Sequence, residues 1–206
     1  RYLVDSGRKL DSVASIQQNY AWGHDSWADF SAAIQQLKPG VKVATEQLPK
    51  LFQGQYGAEI SAISVSRPDV IHSSFWGGDM EALVLQGAAR GLFDKRAAVL
   101  TCGESALDRF KGQAPNGLIL GARGPFGAFA PQNPLSDWFR TAYRGKNEIE
   151  PTYPAFKMAQ AILGLKAAVE KTGAKPGTIP AKEAVAKSFK GLNFESVSGT
   201  VQMARA

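Results

Sequence analysis

The sequence predicts an α/β fold, a Rossmann-like parallel sheet flanked by helices, followed by a mainly helical region. Two observations predict it. From Val13 to Gly121, short apolar runs alternate with amphipathic stretches at helical spacing. Beyond Gly121 the chain turns rich in glycine and proline, and the elements that follow read as helices with little strand between them. Strands that alternate with helices imply parallel strands joined by right-handed crossovers.

Taken in order, Arg1 to Gly7 reads as the last turn or two of a helix with a glycine stop. Val13–Gln17 is a strand, and Asp25–Leu37 a helix with Trp27, Phe30, Ile34 and Leu37 on one face. Pro39-Gly40 breaks that helix. Val41–Glu46 is a second strand, and Gly57–Val65 a weaker helix with Ile60 and Ile63 inward. Arg67-Pro68-Asp69 is a turn into a third strand, Val70–Phe75. Asp79–Ala89 is a helix that Asp79 is expected to cap and Gly91 to stop. Ala97–Thr101 and Leu118–Leu120 are the fourth and fifth strands, with a short helix near Leu107.

Gly121 to Pro134 reads as an inter-domain connection. Helices are expected at Leu135–Arg144, Tyr153–Thr172 and Ala181–Lys190. The middle one carries Phe156, Met158, Ile162, Leu163, Leu165 and Val169 on most sides, which predicts burial against several partners. Phe194 to Met203 reads as one extended segment. Both ends read as cut, so a piece of a longer protein is expected.

Composition narrows the function classes. The chain has 206 residues, a hydrophobic fraction of 44% and a net charge of +6. That fits one domain, or one plus part of a second, with a core to bury. No apolar run approaches the roughly 20 residues of a membrane-spanning helix, and no N-terminal signal pattern is present. The basic residues are scattered and not interleaved with aromatics, which argues against a nucleic-acid partner. Cys102 is the single cysteine, so no internal disulfide forms and cysteine metal clusters are excluded.

Three strand ends carry the chemistry. Tyr20 and Trp22 follow the first, Trp76-Gly77-Gly78-Asp79 the third, and Cys102-Gly103-Glu104-Ser105 the fourth. In an open α/β sheet these loops lie at the carboxyl edge, where ligands bind. Paired glycines let a ligand approach the backbone, and a helix N-terminus offers N–H groups. Glu104 has two readings, a first-turn helix acid or a cleft carboxylate that needs a cation. Arg123 reads as a solvated linker arginine or as a bidentate partner for a carboxylate. His24 and His72 lack a third ligand at metal spacing. Gly121, Gly124 and Gly127 do not form the dinucleotide fingerprint, and neither a phosphate loop nor a nucleophile elbow is present. Neither a cofactor nor an enzymatic activity is therefore expected.

Five markers together resemble the ligand-binding proteins of bacterial ABC importers, of the branched-chain amino-acid (leucine/isoleucine/valine) type. They are Asn19-Tyr20-Ala21-Trp22-Gly23, Arg67-Pro68-Asp69-Val70, Trp76-Gly77-Gly78-Asp79, Tyr153-Pro154-Ala155-Phe156, and Phe194 to Val201. The resemblance implies two α/β lobes joined by three crossings, with the ligand in the cleft between them. Residues 1–121 would then be the second lobe, 122–134 a crossing, 135–197 the helical part of the other lobe, and 198–206 the start of a further crossing. It implies ligand contacts from Tyr20, Trp22, Trp76, Gly77, Glu104 and Arg123, with Phe126 and Phe129 as looser candidates. Glu104 would pair with a ligand's ammonium group. The implied ligand is a branched-chain or aromatic amino acid, or an aromatic acid. The implied partner is a membrane permease, and the implied location is the periplasm or an anchored extracellular site, after loss of a signal peptide from the precursor. A ligand-sensing regulatory domain of the same fold, and a Rossmann-like enzyme, are the alternatives.

Overall fold

The computed structural model describes residues 1–110, 112–126 and 129–204. Gly127 of the glycine pattern falls outside them. The chain divides into two compact units, Arg1–Arg123 and Gly124–Ala206.

The first unit is built on five parallel strands in the order β2-β1-β3-β4-β5: β1 Ser12–Ile16, β2 Lys42–Gln47, β3 Val70–Ser73, β4 Ala97–Leu100 and β5 Leu118–Leu120. Between them run α1 Tyr2–Asp5, ahead of β1, then α2 Ala21–Leu37, α3 Gly57–Ser66, α4 Gly77–Ala89 and a 3₁₀ helix over Gly103–Phe110. The alternation of side chains along each strand divides the core into two layers. Ala14, Ile16, Ile71, Ala98 and Leu100 pack under Ile60 and Ile63 of α3 and Met80, Leu83 and Val84 of α4. Val13, Val70 and Ala97 face the other way, under Trp27 and Ile34 of α2 and Leu3 of α1.

Chain order reverses beside β1, because the chain first steps out to β2 and then returns to β3. The carboxyl ends of β1 and β3 therefore open a crevice between helices that depart to opposite faces.

Three expectations need correction. The first long helix starts at Ala21, not Asp25, so Trp22 and Gly23 stand in its first turn and Tyr20 is the residue before it. Its last apolar residue, Leu37, is exposed. Gly23 is required there: a Cβ would come 2.0 Å from the Gln18 carbonyl oxygen. Asp79 does not cap α4. The helix begins at Gly77, and Asp79 lies buried in its first turn.

The second unit holds α5 Pro134–Asn147, α6 Tyr153–Lys171, α7 Lys182–Ser188 and an antiparallel hairpin of β6 Asn193–Ser196 and β7 Gly199–Gln202. The stretch expected to be one extended segment thus folds back on itself at Val197 and Ser198. Asn133 caps α5 by accepting from the Ser136 N–H at 2.8 Å. Phe156, Ala130 and Val197 form the core. Gly164 lets α6 meet the hairpin, since a Cβ there would lie 2.8 Å from the Phe194 ring. The all-round burial expected of α6 is not observed: Met158, Ile162 and Leu165 are exposed.

Candidate functional site

All five strands end at the same edge of the first unit, and each is followed there by a residue of interest. In spatial order these are Phe52 after β2, Tyr20 and Trp22 after β1, Trp76 after β3, Glu104 after β4 and Arg123 after β5. Tyr20 and Trp76 are the residues before α2 and α4, and neither helix has a side-chain cap. Both N-termini therefore present backbone N–H groups and the positive end of their dipoles at the crevice. Gly77 has φ +58°, the left-handed conformation that glycine adopts without strain.

Two contacts bridge the strands. The Trp76 indole N–H donates to the Tyr20 hydroxyl at 2.7 Å, across the mouth of the crevice between β1 and β3. The Trp22 indole N–H donates to the Ser74 carbonyl at 3.1 Å. Ser74 is itself fixed by Gln17, whose Oε1 accepts from the Ser74 backbone at 2.8 Å and from its hydroxyl at 2.7 Å. The other end of the same amide lies 2.8 Å from His72 Nδ1. His72 is buried, stacks on Phe30 with centroids 4.1 Å apart, and has its pKa pushed down by burial to about 3. It is a neutral core side chain.

Glu104 is 3% exposed, and neither carboxylate oxygen has a hydrogen-bond partner in the structure. Burial pushes its pKa up. The Arg123 guanidinium, 3.8 Å away, and nearby amides of Glu104, Ser105 and Arg123 pull the other way without prevailing. Arg123 also lies 6.0 Å from the centre of the Trp22 ring, a cation–π distance. Of the two readings of Arg123, the solvated one does not hold: its side chain is 28% exposed and ion-paired. It places a cation 3.8 Å from Glu104, where a ligand's cation was also expected.

Glu104, Arg123 and Trp22 thus form one linked group, and Tyr20 and Trp76 another. The backbone around Ser74, Phe75 and Trp76 connects the two. Trp22 and Arg123 also line a hollow of about 530 Å³ with Phe30, His72 and Thr101, rimmed by Asp25 and Asp29. Phe126 and Phe129 belong to the second unit, the first buried and the second exposed. Cys102 is buried beneath the edge, and burial raises its pKa, which leaves it a poor nucleophile. Among the described residues no group of His, Cys, Asp or Glu could hold a metal ion.

Sequence reasoning missed Gln17, Gln18 and Phe52, and read Asp79 only as a helix cap. The Asp79 carboxylate accepts from the Gln18 amide at 2.6 Å and from the Phe52 backbone N–H at 2.8 Å. The available signal was the pair Gln17-Gln18 at a strand end, two amides where a buried strand should run apolar.

The family described as periplasmic binding protein matches residues 1–206. Among curated proteins, none matches the chain. Several solved structures share its fold. An amino acid ABC transporter substrate-binding protein from Pseudomonas fluorescens aligns with TM-score 0.74 and 18% identity, over 98% of this chain and 52% of that one. A solute binding protein of an ABC transporter from Rhodopseudomonas palustris, in complex with 3,4-dihydroxy benzoic acid, aligns with TM-score 0.75 and 19% identity, over 98% and 54%. A branched-chain amino acid transporter substrate binding protein from Streptococcus pneumoniae, in complex with isoleucine, aligns with TM-score 0.71 and 15% identity, over 98% and 55%. The chain spans about half the length of each.

Proposed function

Because the chain belongs to the periplasmic binding protein family, we propose that it forms part of a solute receptor. The receptor captures a small amino acid or a related carboxylate and hands it to an ABC permease in the membrane. Residues 1–123 act as one lobe, and the ligand is enclosed between this lobe and a second. Each half-site alone holds the ligand weakly, and enclosure removes water and strengthens the polar contacts. Closure by hinge bending then gives the permease a shape that differs from the empty receptor. The reading is non-enzymatic and places the protein in the periplasm, or anchored outside the cell.

The observation that carries the reading is the convergence of aromatic and charged side chains on one sheet edge. Tyr20, Trp22 and Trp76 supply apolar walls, Gly77 a close backbone approach, and Glu104 with Arg123 an ion pair at the same edge. Relatives of this fold bound to isoleucine and to a dihydroxy benzoic acid support the two ligand chemistries considered. Arg123 already stands beside Glu104, and this favours the second reading, an aromatic acid with no ammonium group.

Calorimetric titration of the whole protein with isoleucine and with benzoate tests the proposal and separates the two. If Glu104 takes an ammonium, Glu104→Gln weakens isoleucine binding by about 1.5–3 kcal/mol, the range for a hydrogen bond to a charged group. If Arg123 satisfies Glu104, benzoate binds and the substitution leaves its affinity within a factor of two. Absence of binding by either ligand class would remove the receptor reading.

A further inference from the structure

The loop after β2 carries a feature that the fold does not need. Phe52 has φ +59°, in the left-handed region, which strains a residue that carries a side chain. Two residues on, Gly54 adopts the same region at φ +72° without that strain. The Phe52 ring gains little burial in exchange, since the residue is 65% exposed. A strained and exposed aromatic is a cost with little folding return.

What holds it is specific. The Phe52 N–H donates to Asp79, a carboxylate only 3% exposed in the first turn of α4. The same oxygen takes the Gln18 amide, so one buried acid ties the ends of β1, β2 and β3 together. The Phe52 ring then stands edge-on to Trp76, with centroids 5.5 Å apart and planes at 82°. Trp76 is in turn fixed by the Tyr20 hydroxyl.

We propose that Phe52 is a specificity-determining residue of the carboxyl-edge site: with Trp76 and Tyr20 it makes a three-ring wall that selects ligands bearing a planar aromatic group, and Asp79 is the residue that positions it. The inference rests on the receptor reading and narrows its ligand class. An aromatic ligand gains ring–ring interaction from such a wall beyond the area it buries, whereas an aliphatic side chain gains area alone. Removing one ring of the wall therefore separates the two ligand types.

The test compares the wild-type whole protein with Phe52→Gly, using calorimetric titration with L-phenylalanine, benzoate and L-valine, and thermal unfolding without ligand. Glycine removes the ring and also the backbone strain. The expected result is an affinity about tenfold lower for whichever aromatic probe the wild type binds, at an unchanged or higher thermal midpoint. If L-valine binds, its affinity changes less than threefold. A midpoint that falls together with the affinity makes Phe52 a structural residue and overturns the proposal. So does an aromatic affinity that Phe52→Gly leaves intact. Wild-type protein that binds L-valine but neither aromatic probe overturns the inference and leaves the receptor reading standing. Wild-type protein that binds none of the three overturns both.

Discussion

At the amino end of the five-stranded sheet, Asp69 accepts hydrogen bonds from the backbone N–H groups of Asp11 and Ser12 at 2.9 and 3.1 Å, and Lys9 stands 2.9 Å from its other oxygen. At the carboxyl end, Glu104 has the Arg123 guanidinium at 3.8 Å and no hydrogen bond to either oxygen. Both carboxylates are desolvated, and burial pushes both pKa values up. For Asp69, the Lys9 contact and the two amides outweigh burial, and its pKa is lowered. For Glu104 burial wins, and its pKa is raised. Hydrogen bonding, not burial alone, separates the two. A carboxylate that stitches strands together is saturated by the fold, whereas one that serves a ligand keeps acceptor capacity. The amino end also has a hollow of about 520 Å³, lined by Arg8, Lys9, Asp69, Lys95 and Arg96. It has polar walls but, among the described residues, no unsatisfied buried acceptor, so size alone does not tell the two ends apart.

The largest effect follows from removing the saturated acid. Asp69→Ala takes the shared acceptor from the N–H groups of Asp11 and Ser12 at the entry to β1, leaves the half-buried Ser12 N–H stranded and removes the Lys9 contact, and should destabilise the protein by about 3 kcal/mol. Urea unfolding measures this, and ligand affinity should not change. An Asp69→Ala protein as stable as wild type would break the comparison at its structural end.

Acid should separate the two ends next. The folded pKa of His72 lies near 3, below its ordinary 6.5, so the unfolded chain binds the extra proton first. Stability contributed by the neutral ring is full above pH 6.5 and is lost as pH falls, by about 2 kcal/mol between pH 7 and pH 5. Asp69 begins to lose its contribution only below its ordinary 3.8. Mild acid therefore loosens the layer of Trp27, Phe30 and His72 while the Asp69 contacts persist. Thermal midpoints measured from pH 7 to pH 5 should fall in the wild type, and the slope should flatten in His72→Gln. A slope unchanged by that substitution assigns the acid sensitivity to other groups.

The parts of this contrast that the sequence reveals are local. The Ile60 and Ile63 face of α3, the fifth strand at Leu118–Leu120 and the loops at the strand ends follow from periodicity and composition. The start of α2 was hidden because Tyr20, Ala21 and Trp22 offer no capping side chain, and aromatics before a glycine look like a loop. Asp79 has the residue type of a cap, but its carboxylate turns inward to Gln18 and Phe52, partners 61 and 27 residues away. Gln17 holds Ser74 only because β1 lies beside β3, and that adjacency is a property of the sheet. Arg123 beside Glu104 depends likewise on β5 lying next to β4. Residue type was legible, but partnership across the sheet was not.

The smallest effect has the opposite sign and tests the comparison most directly. A group whose folded pKa is raised supports the fold below its unfolded value, near 4.5 for Glu104, and loses that support as pH rises through the folded value. At neutral pH the fold thus carries a desolvated charge that Arg123 only partly offsets. Glu104→Gln removes that charge while keeping the shape, and should raise stability at pH 7 slightly. The gain should vanish below pH 4.5, where the wild-type side chain is already neutral. Removing Asp69 costs stability at pH 7, and neutralising Glu104 returns some. Urea midpoints of Glu104→Gln at pH 7 and pH 4 decide the matter. A loss at pH 7 comparable to that of Asp69→Ala would mean that Glu104 is a structural acid, and the distinction between the two ends of the sheet would collapse.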